Sequence, residues 1–284
     1  MRCFVLSFLC CMVFTGAARA QLAGADPLDR LDADRYGAGT LIAALEALDA
    51  YRPSQAEAPA RALLGHPESQ VARTAAWLLR RMNRQSHGLD SINAVLADEN
   101  ATDEMRLSAV SAIGPLRYGS SVARTVLVEA EDAALRAAAA RSIGEMHHSG
   151  SVDALMTAIN GDAELTVQRA AAWALVRQLD LGADILVTAS GHGDPLVRLQ
   201  VVWGLAQPRF ATASGVAGHL RRILQGDADC RVQAAAAWAL GELGDALSAE
   251  ALQQAVDSSR CRRASQAAAP VSYTHLTLPT TCTP

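Results

Sequence analysis

The sequence contains no lysine: all 25 basic residues are arginine. The simplest source of that bias is a GC-rich genome, so arginine abundance by itself says little about anion binding. Aromatic residues are also scarce, at 4% of the chain, although half of it is hydrophobic. Alanine supplies much of the apolar content. Because Ala is the best helix former and a poor strand former, this balance favours closely packed helices over a sheet. The formal net charge of −4 argues against a general nucleic-acid binder. The chain has no Walker phosphate loop, dinucleotide fingerprint, nucleophile elbow or metal-binding helix motif, and no Cys-x-x-Cys-His for haem attachment. No cofactor is therefore expected, and the chain reads as non-enzymatic.

The two ends differ from the middle. Arg2 precedes an apolar run from Cys3 to Phe14, and Ala18-Arg19-Ala20 forms an A-x-A cleavage signal. Residues 1–20 are thus expected to be a secretory signal peptide cut before Gln21. The chain would then be periplasmic or secreted, with no membrane segment after cleavage. A lipoprotein anchor at Cys10 or Cys11 is the rival reading, disfavoured because Leu9 stands where a small residue is wanted. At the other end, residues 271–284 read VSYTHLTLPTTCTP and resemble an in-frame translated sequencing adapter. The natural reading is expected to stop near Pro270, with further protein beyond. His275 and Cys282 then carry no functional weight. Two other cysteines, Cys230 and Cys261, lie about one structural unit apart. They can pair as a disulfide in an exported protein; two unpaired buried thiols are the alternative.

The organisation is a repeat. Val71, Met105, Leu135, Val167, Val197 and Val232 form one column, spaced by 34, 30, 32, 30 and 35 residues. Four positions later every copy has Ala or Val: Ala75, Ala109, Ala139, Ala171, Val201 and Ala236. Eight positions after the anchor stand Leu79, Ile113, Ile143, Leu175, Leu205 and Leu240. Successive members of this set differ by about 40° on a helix, so they form one apolar stripe. Three positions before the anchor come Glu68, Thr102, Asp132, Glu164, Asp194 and Asp229, which can cap the helix start. Gly241 and Gly244 are candidate C-caps. Shorter apolar patterns, such as Val152/Leu155/Ile159 and Leu220/Ile223/Leu224, supply a preceding helix in each unit. A unit of about 32 residues cannot bury its stripe alone, so its stability comes from stacking. A seventh copy is expected to start at Cys261. Leu41 to Leu48 reads as a helix of an N-terminal cap spanning residues 21–60, ahead of a solenoid over 61–270.

Asp194-Pro195-Leu196-Val197-Arg198 and Ala236-Ala237-Trp238-Ala239-Leu240-Gly241-Glu242-Leu243-Gly244-Asp245 resemble HEAT-like repeats of the bilin-lyase type. The resemblance covers roughly residues 60–270. It implies an all-α fold, a right-handed α-solenoid of helix–turn–helix HEAT-like repeats whose second helices line the concave face. It is nearly silent on function, because this repeat serves many scaffolds. The family's Arg just after the anchor is present as Arg106, Arg136 and Arg198. It is replaced by Ala72, Gln168 and Gln233 in the other copies.

One column falls off the stripe. Six residues after the anchor stand Trp77, Ser111, Arg141, Trp173, Trp203 and Trp238, and all four tryptophans of the chain are among them. This offset lies about 200° from the middle of the stripe. Arg73 and Arg81 flank Trp77, Arg169 and Arg177 flank Trp173, and Glu145 flanks Arg141. On the concave face these residues would form a ladder of Trp and Arg. One reading is a ligand-binding groove for a protein segment or polymer, because Trp and Arg dominate binding hot spots. The other is that each Trp fills space across its neighbour's helix. His147 and His148 are adjacent and point to different sides, so they make a weak metal pair. The expectation is an exported, non-catalytic scaffold. The alternatives are a regulatory module of a larger exported enzyme or cytochrome, and a bilin-lyase-like enzyme.

Overall fold

The computed structural model describes residues 26–146, 149–178, 181–257 and 261–277. The leader expected at residues 1–20 lies outside the described residues, as do His147, His148 and positions 278–284. Among the described residues there are fifteen α-helices and no strand. The first is α1 (Ala38–Leu48), and the rest follow in pairs: α2 (Glu57–Ala62) and α3 (Ser69–Arg81), α4 (Gln85–Ala97) and α5 (Asp103–Leu116), α6 (Ser120–Glu129) and α7 (Ala133–Met146). Then come α8 (Val152–Gly161) and α9 (Leu165–Leu175), α10 (Ala183–Ala189) and α11 (Pro195–Leu205), α12 (Val216–Gly226) and α13 (Cys230–Leu243), α14 (Ala249–Asp257) and α15 (Arg262–Thr277). The odd-numbered helices from α3 to α13 carry the anchor stripe.

The stripe is the core. Of its eighteen positions only Met105 and Leu135 are half-buried, and the others have no exposed surface. Small residues between the large ones, such as Ala76, Ala112, Ala140, Ala172 and Ala237, are also fully buried. They let successive anchor helices pack directly on one another, whereas neighbouring outer helices touch over only short stretches. The anchor helices thus form the more closely packed layer of the stack. Toward the N-terminal end of the described residues α1 buries Leu41, Ala44, Leu45 and Leu48 and packs against α3.

Capping follows side-chain length. Thr102, Asp132, Asp194 and Asp229 each accept a first-turn backbone N–H. Glu68 and Glu164 do not cap through their side chains. The extra methylene carries their carboxylates past the N–H groups that Asp reaches. Gly244 is the left-handed C-cap of α13, with φ 66°, whereas Gly241 lies inside that helix.

The residue after the anchor ties copies together in pairs. Arg136 donates from Nε and Nη2 to the two carboxylate oxygens of Asp162, at 2.7 and 2.9 Å, in the turn of the next copy. Its Nη1 donates to the carbonyls of Ala130 and Glu131. Arg198 repeats this with Asp227, at 2.8 Å twice, and with the carbonyls of His192 and Gly193. In the copies that supply the aspartates, Gln168 and Gln233 replace Arg and donate to the Asp162 and Asp227 carbonyls. A neutral amide serves there because the carboxylate already holds one guanidinium and a second cation beside it would be repelled. The Asp162 carboxyl is held below its ordinary pKa chiefly by the Arg136 hydrogen bonds. Arg106 meets no aspartate of the next copy among the described residues; within its own copy it donates to the Asp98 carbonyl and lies 3.7 Å from the exposed Asp103 carboxylate. We therefore expect Arg136→Ala to cost about 1.5–3 kcal/mol and Arg106→Ala about 1 kcal/mol or less. Urea denaturation of the two variants distinguishes them; equal losses would mean the clamp contributes nothing beyond a surface contact.

Candidate binding groove

The four tryptophans share one offset on the anchor helices but lie at different depths. Trp77 and Trp173 are half-buried against the core, while Trp203 and Trp238 remain 48% and 45% exposed. The neighbouring copy explains this. A Cβ added to Gly144 would sit 2.6 Å from Cζ3 of Trp173, so the glycine of the preceding copy leaves the hollow into which that indole leans. At the same offset the next two copies carry Val176 and Ala206. Side chains there leave less room, in keeping with the greater exposure of Trp203 and Trp238.

Most arginines of the ladder are engaged within the chain. Arg73 reaches across two copies, donating to the Ser111 carbonyl at 3.1 Å and to both carboxylate oxygens of Glu145 at 3.1 and 3.2 Å. Glu145 thus serves Arg73 and not its helix neighbour Arg141. Arg81 pairs with Asp49 at 2.9 Å. Arg169 forks onto Asp194 at 3.1 and 2.7 Å. Arg177 donates to the Gly144 carbonyl and stacks over the Trp173 ring, 4.6 Å from its centroid. Arg141 is exposed. Arg73, Thr74, Trp77, Glu46, Gln70 and Pro115 surround a hollow of about 300 Å³ near the N-terminal end of the groove.

Asp194 is the most heavily used carboxylate of this face. Its pKa is pulled down to about 2, first by the Arg169 hydrogen bonds and further by the backbone N–H groups of Val197 and Leu196, against burial. A carboxyl with a lower pKa when folded than its ordinary 3.8 stabilises the fold fully above that value. The contribution is lost as pH falls through 3.8 toward 2. We expect it to be worth at most about 2 kcal/mol. Asp194→Asn should accordingly reduce stability at pH 6 and flatten its fall between pH 4 and 2, followed by circular dichroism in urea. An unchanged acid profile would refute the assignment.

Several of these roles were not visible in the spacing. Glu145, Asp49 and Gly144 carry no mark in the sequence beyond their offset. His192, in the turn before α11, accepts the backbone N–H of Asp194 through Nδ1 at 3.0 Å, so it orders the cap. Ser190 and His219 meet at 2.6 Å. Ser190 Oγ also donates to the Val187 carbonyl, and the other ring nitrogen of His219 faces Arg222, so among the described residues no acid is seen to orient the imidazole. Among the described residues no group of three or more His, Cys, Asp or Glu is placed to hold a metal. No helix among them is long and apolar enough to cross a membrane. Cys230, the first residue of α13, and Cys261, just before α15, are joined as a disulfide with Cα atoms 5.5 Å apart.

The fold recurs in known proteins. The Escherichia coli protein YibA is similar at a TM-score of 0.54 and 16% identity, over 91% of this chain and 96% of that one. The CpcE–CpcF complex of phycocyanin lyase from Nostoc matches at 0.40 and 19% identity, over 77% and 94%. Human deoxyhypusine hydroxylase in complex with glycerol matches at 0.36 and 15%, over 88% and 93%. At these identities the likeness concerns the fold alone. No curated protein matches the chain. The family profile described as HEAT repeats matches residues 120–184 and 183–269. Those two stretches span more than half of the chain and follow the helix pairs from α6 to α15, so the protein belongs to the HEAT-repeat family.

Proposed function

We propose that this chain is an exported, non-catalytic scaffold that binds a protein segment or polymer along its concave face. The observation that carries the reading is the pair of half-exposed indoles, Trp203 and Trp238, at equivalent positions on adjacent anchor helices. Large apolar side chains left this exposed on a curved face gain from being covered, and Trp contributes most to binding where it is desolvated. Most arginines of the groove, Arg141 apart, are held by internal partners, which makes much of its face pre-organised and so lowers the ordering cost of binding. Export is supported by the A-x-A signal at Ala18–Ala20 and by the disulfide, which persists in oxidising compartments.

The test uses the full chain and its Trp203→Ala/Trp238→Ala variant as bait in cell-envelope extract. A partner retained by the first and lost by the second, at unchanged melting temperature, supports the groove; equal retention by both sinks it. N-terminal sequencing of the mature protein addresses export separately. Gln21 is expected as the first residue, and a retained Met1 would contradict that reading.

A further inference from the structure

We infer that Asn100 is an N-glycosylation site, taking an oligosaccharide from a polyprenyl diphosphate donor. The inference goes beyond the groove and rests on the export reading above. Asn100-Ala101-Thr102 is the acceptor pattern Asn-x-Thr, in which x is not proline. The other asparagines, Asn83, Asn93 and Asn160, are followed two positions later by Gln85, Val95 and Asp162 and do not meet it. A bulky, solvated glycan needs a surface position. Asn100 has one: it lies in the turn between α4 and α5, exposed to solvent.

The side chain is also released from the work its position does in other copies. Five residues before the anchor, His66, Asp162, His192 and Asp227 each accept, through the side chain, the backbone N–H two residues on, at 2.8–3.0 Å. Ala130, in the same column, has no polar side chain to do so. Asn100 is a polar member of the column that holds no such N–H among the described residues. Asp98 has taken over in its copy. Its carboxylate accepts the Asn100 N–H at 2.9 Å, and its carbonyl accepts the Ala101 N–H and Arg106 Nη2. The turn is thus held without the Asn100 amide, whose Nδ2 makes one long contact, 3.3 Å, with the Asp98 carboxylate. In the transfer, Nδ2 forms a bond to the anomeric carbon of the donor sugar and loses one proton to a base of the transferase. The bond from that carbon to the diphosphate oxygen breaks, and polyprenyl diphosphate leaves. No oxidant or reductant is required. The Thr102 hydroxyl that completes the pattern accepts the Met105 N–H at the start of α5, so transfer precedes the capping of that helix.

The experiment purifies the full chain from the envelope of the cells that encode it and reads its tryptic peptides by mass spectrometry. Trypsin releases residues 85–106 as one peptide, because no Arg lies between Arg84 and Arg106 and the chain has no Lys. That peptide also contains Asn93, which serves as an internal control. It is expected to carry added hexose or N-acetylhexosamine mass, which fragmentation places on Asn100. The added mass should vanish in Asn100→Gln and in Thr102→Ala but persist in Thr102→Ser, which keeps both the hydroxyl and the helix cap. Sugar linked through Thr102 or a serine of the same peptide overturns the inference, as does mass that survives Thr102→Ala. The N-terminal residue of the same preparation separates the two readings. An unmodified peptide from protein beginning at Gln21 sinks the glycosylation site and leaves export standing, whereas an unmodified peptide from protein retaining Met1 sinks both.

Discussion

Replacing Cys230 and Cys261 together by alanine is expected to remove about 3–4 kcal/mol of stability, the chain-entropy value for a cross-link closing a loop of this size. The two residues are 31 apart, one full copy, so the loop they close contains α14. The bond ties the first residue of α13 to the residue before α15, and α15 packs against α13 and α14. In a solenoid each copy is stabilised chiefly by its neighbours. The loss should therefore be local: amide exchange in α14 and α15 should accelerate many-fold, while α3 to α9 keep their protection. Thermal melts with and without reductant give the same comparison without mutation. Superimposable melts would show that helix packing alone holds the last pair.

The second large effect is expected in the stripe. Leu175→Ala should cost about 2–5 kcal/mol, because the side chain is fully buried between α9 and its neighbours. Trp203→Ala, six residues after its own anchor on the next copy, should cost about 1 kcal/mol or less, since nearly half of the residue faces solvent. Trp173→Ala should fall between, at about 2 kcal/mol. That indole loses its contact with the Gly144 hollow and its stacking under Arg177. Urea denaturation of the three variants at constant m-value measures the order. If Trp203→Ala proves as costly as Leu175→Ala, its indole belongs to the core and the groove has lost one rung.

That ordering also separates the two accounts of the tryptophan column. Space-filling describes Trp173 well, because a glycine on the preceding copy receives it. Exposure describes Trp203 and Trp238. The same offset thus lies at two depths along one stack.

The helical repeat was legible in the chain because its signal is local. A stripe with members four residues apart, an alanine between larger aliphatics and a capping Asp or Thr are all set within one helix, and the structure buries that stripe nearly completely. Leu41 to Leu48 likewise became α1, because its apolar spacing already prescribed a face to hide. Offset also placed the tryptophans and arginines on the side away from the stripe. What tertiary structure alone decided is what each of those side chains meets. Arg73 finds Glu145, 72 residues away, and Arg136 finds Asp162 in the turn of the next copy. The depth of each tryptophan follows from the residue opposite it, Gly144 being the clearest case. Helical phase follows from spacing along one strand of sequence, whereas partner and depth depend on which residue of a neighbouring copy comes within reach, and that is settled only when the copies stack.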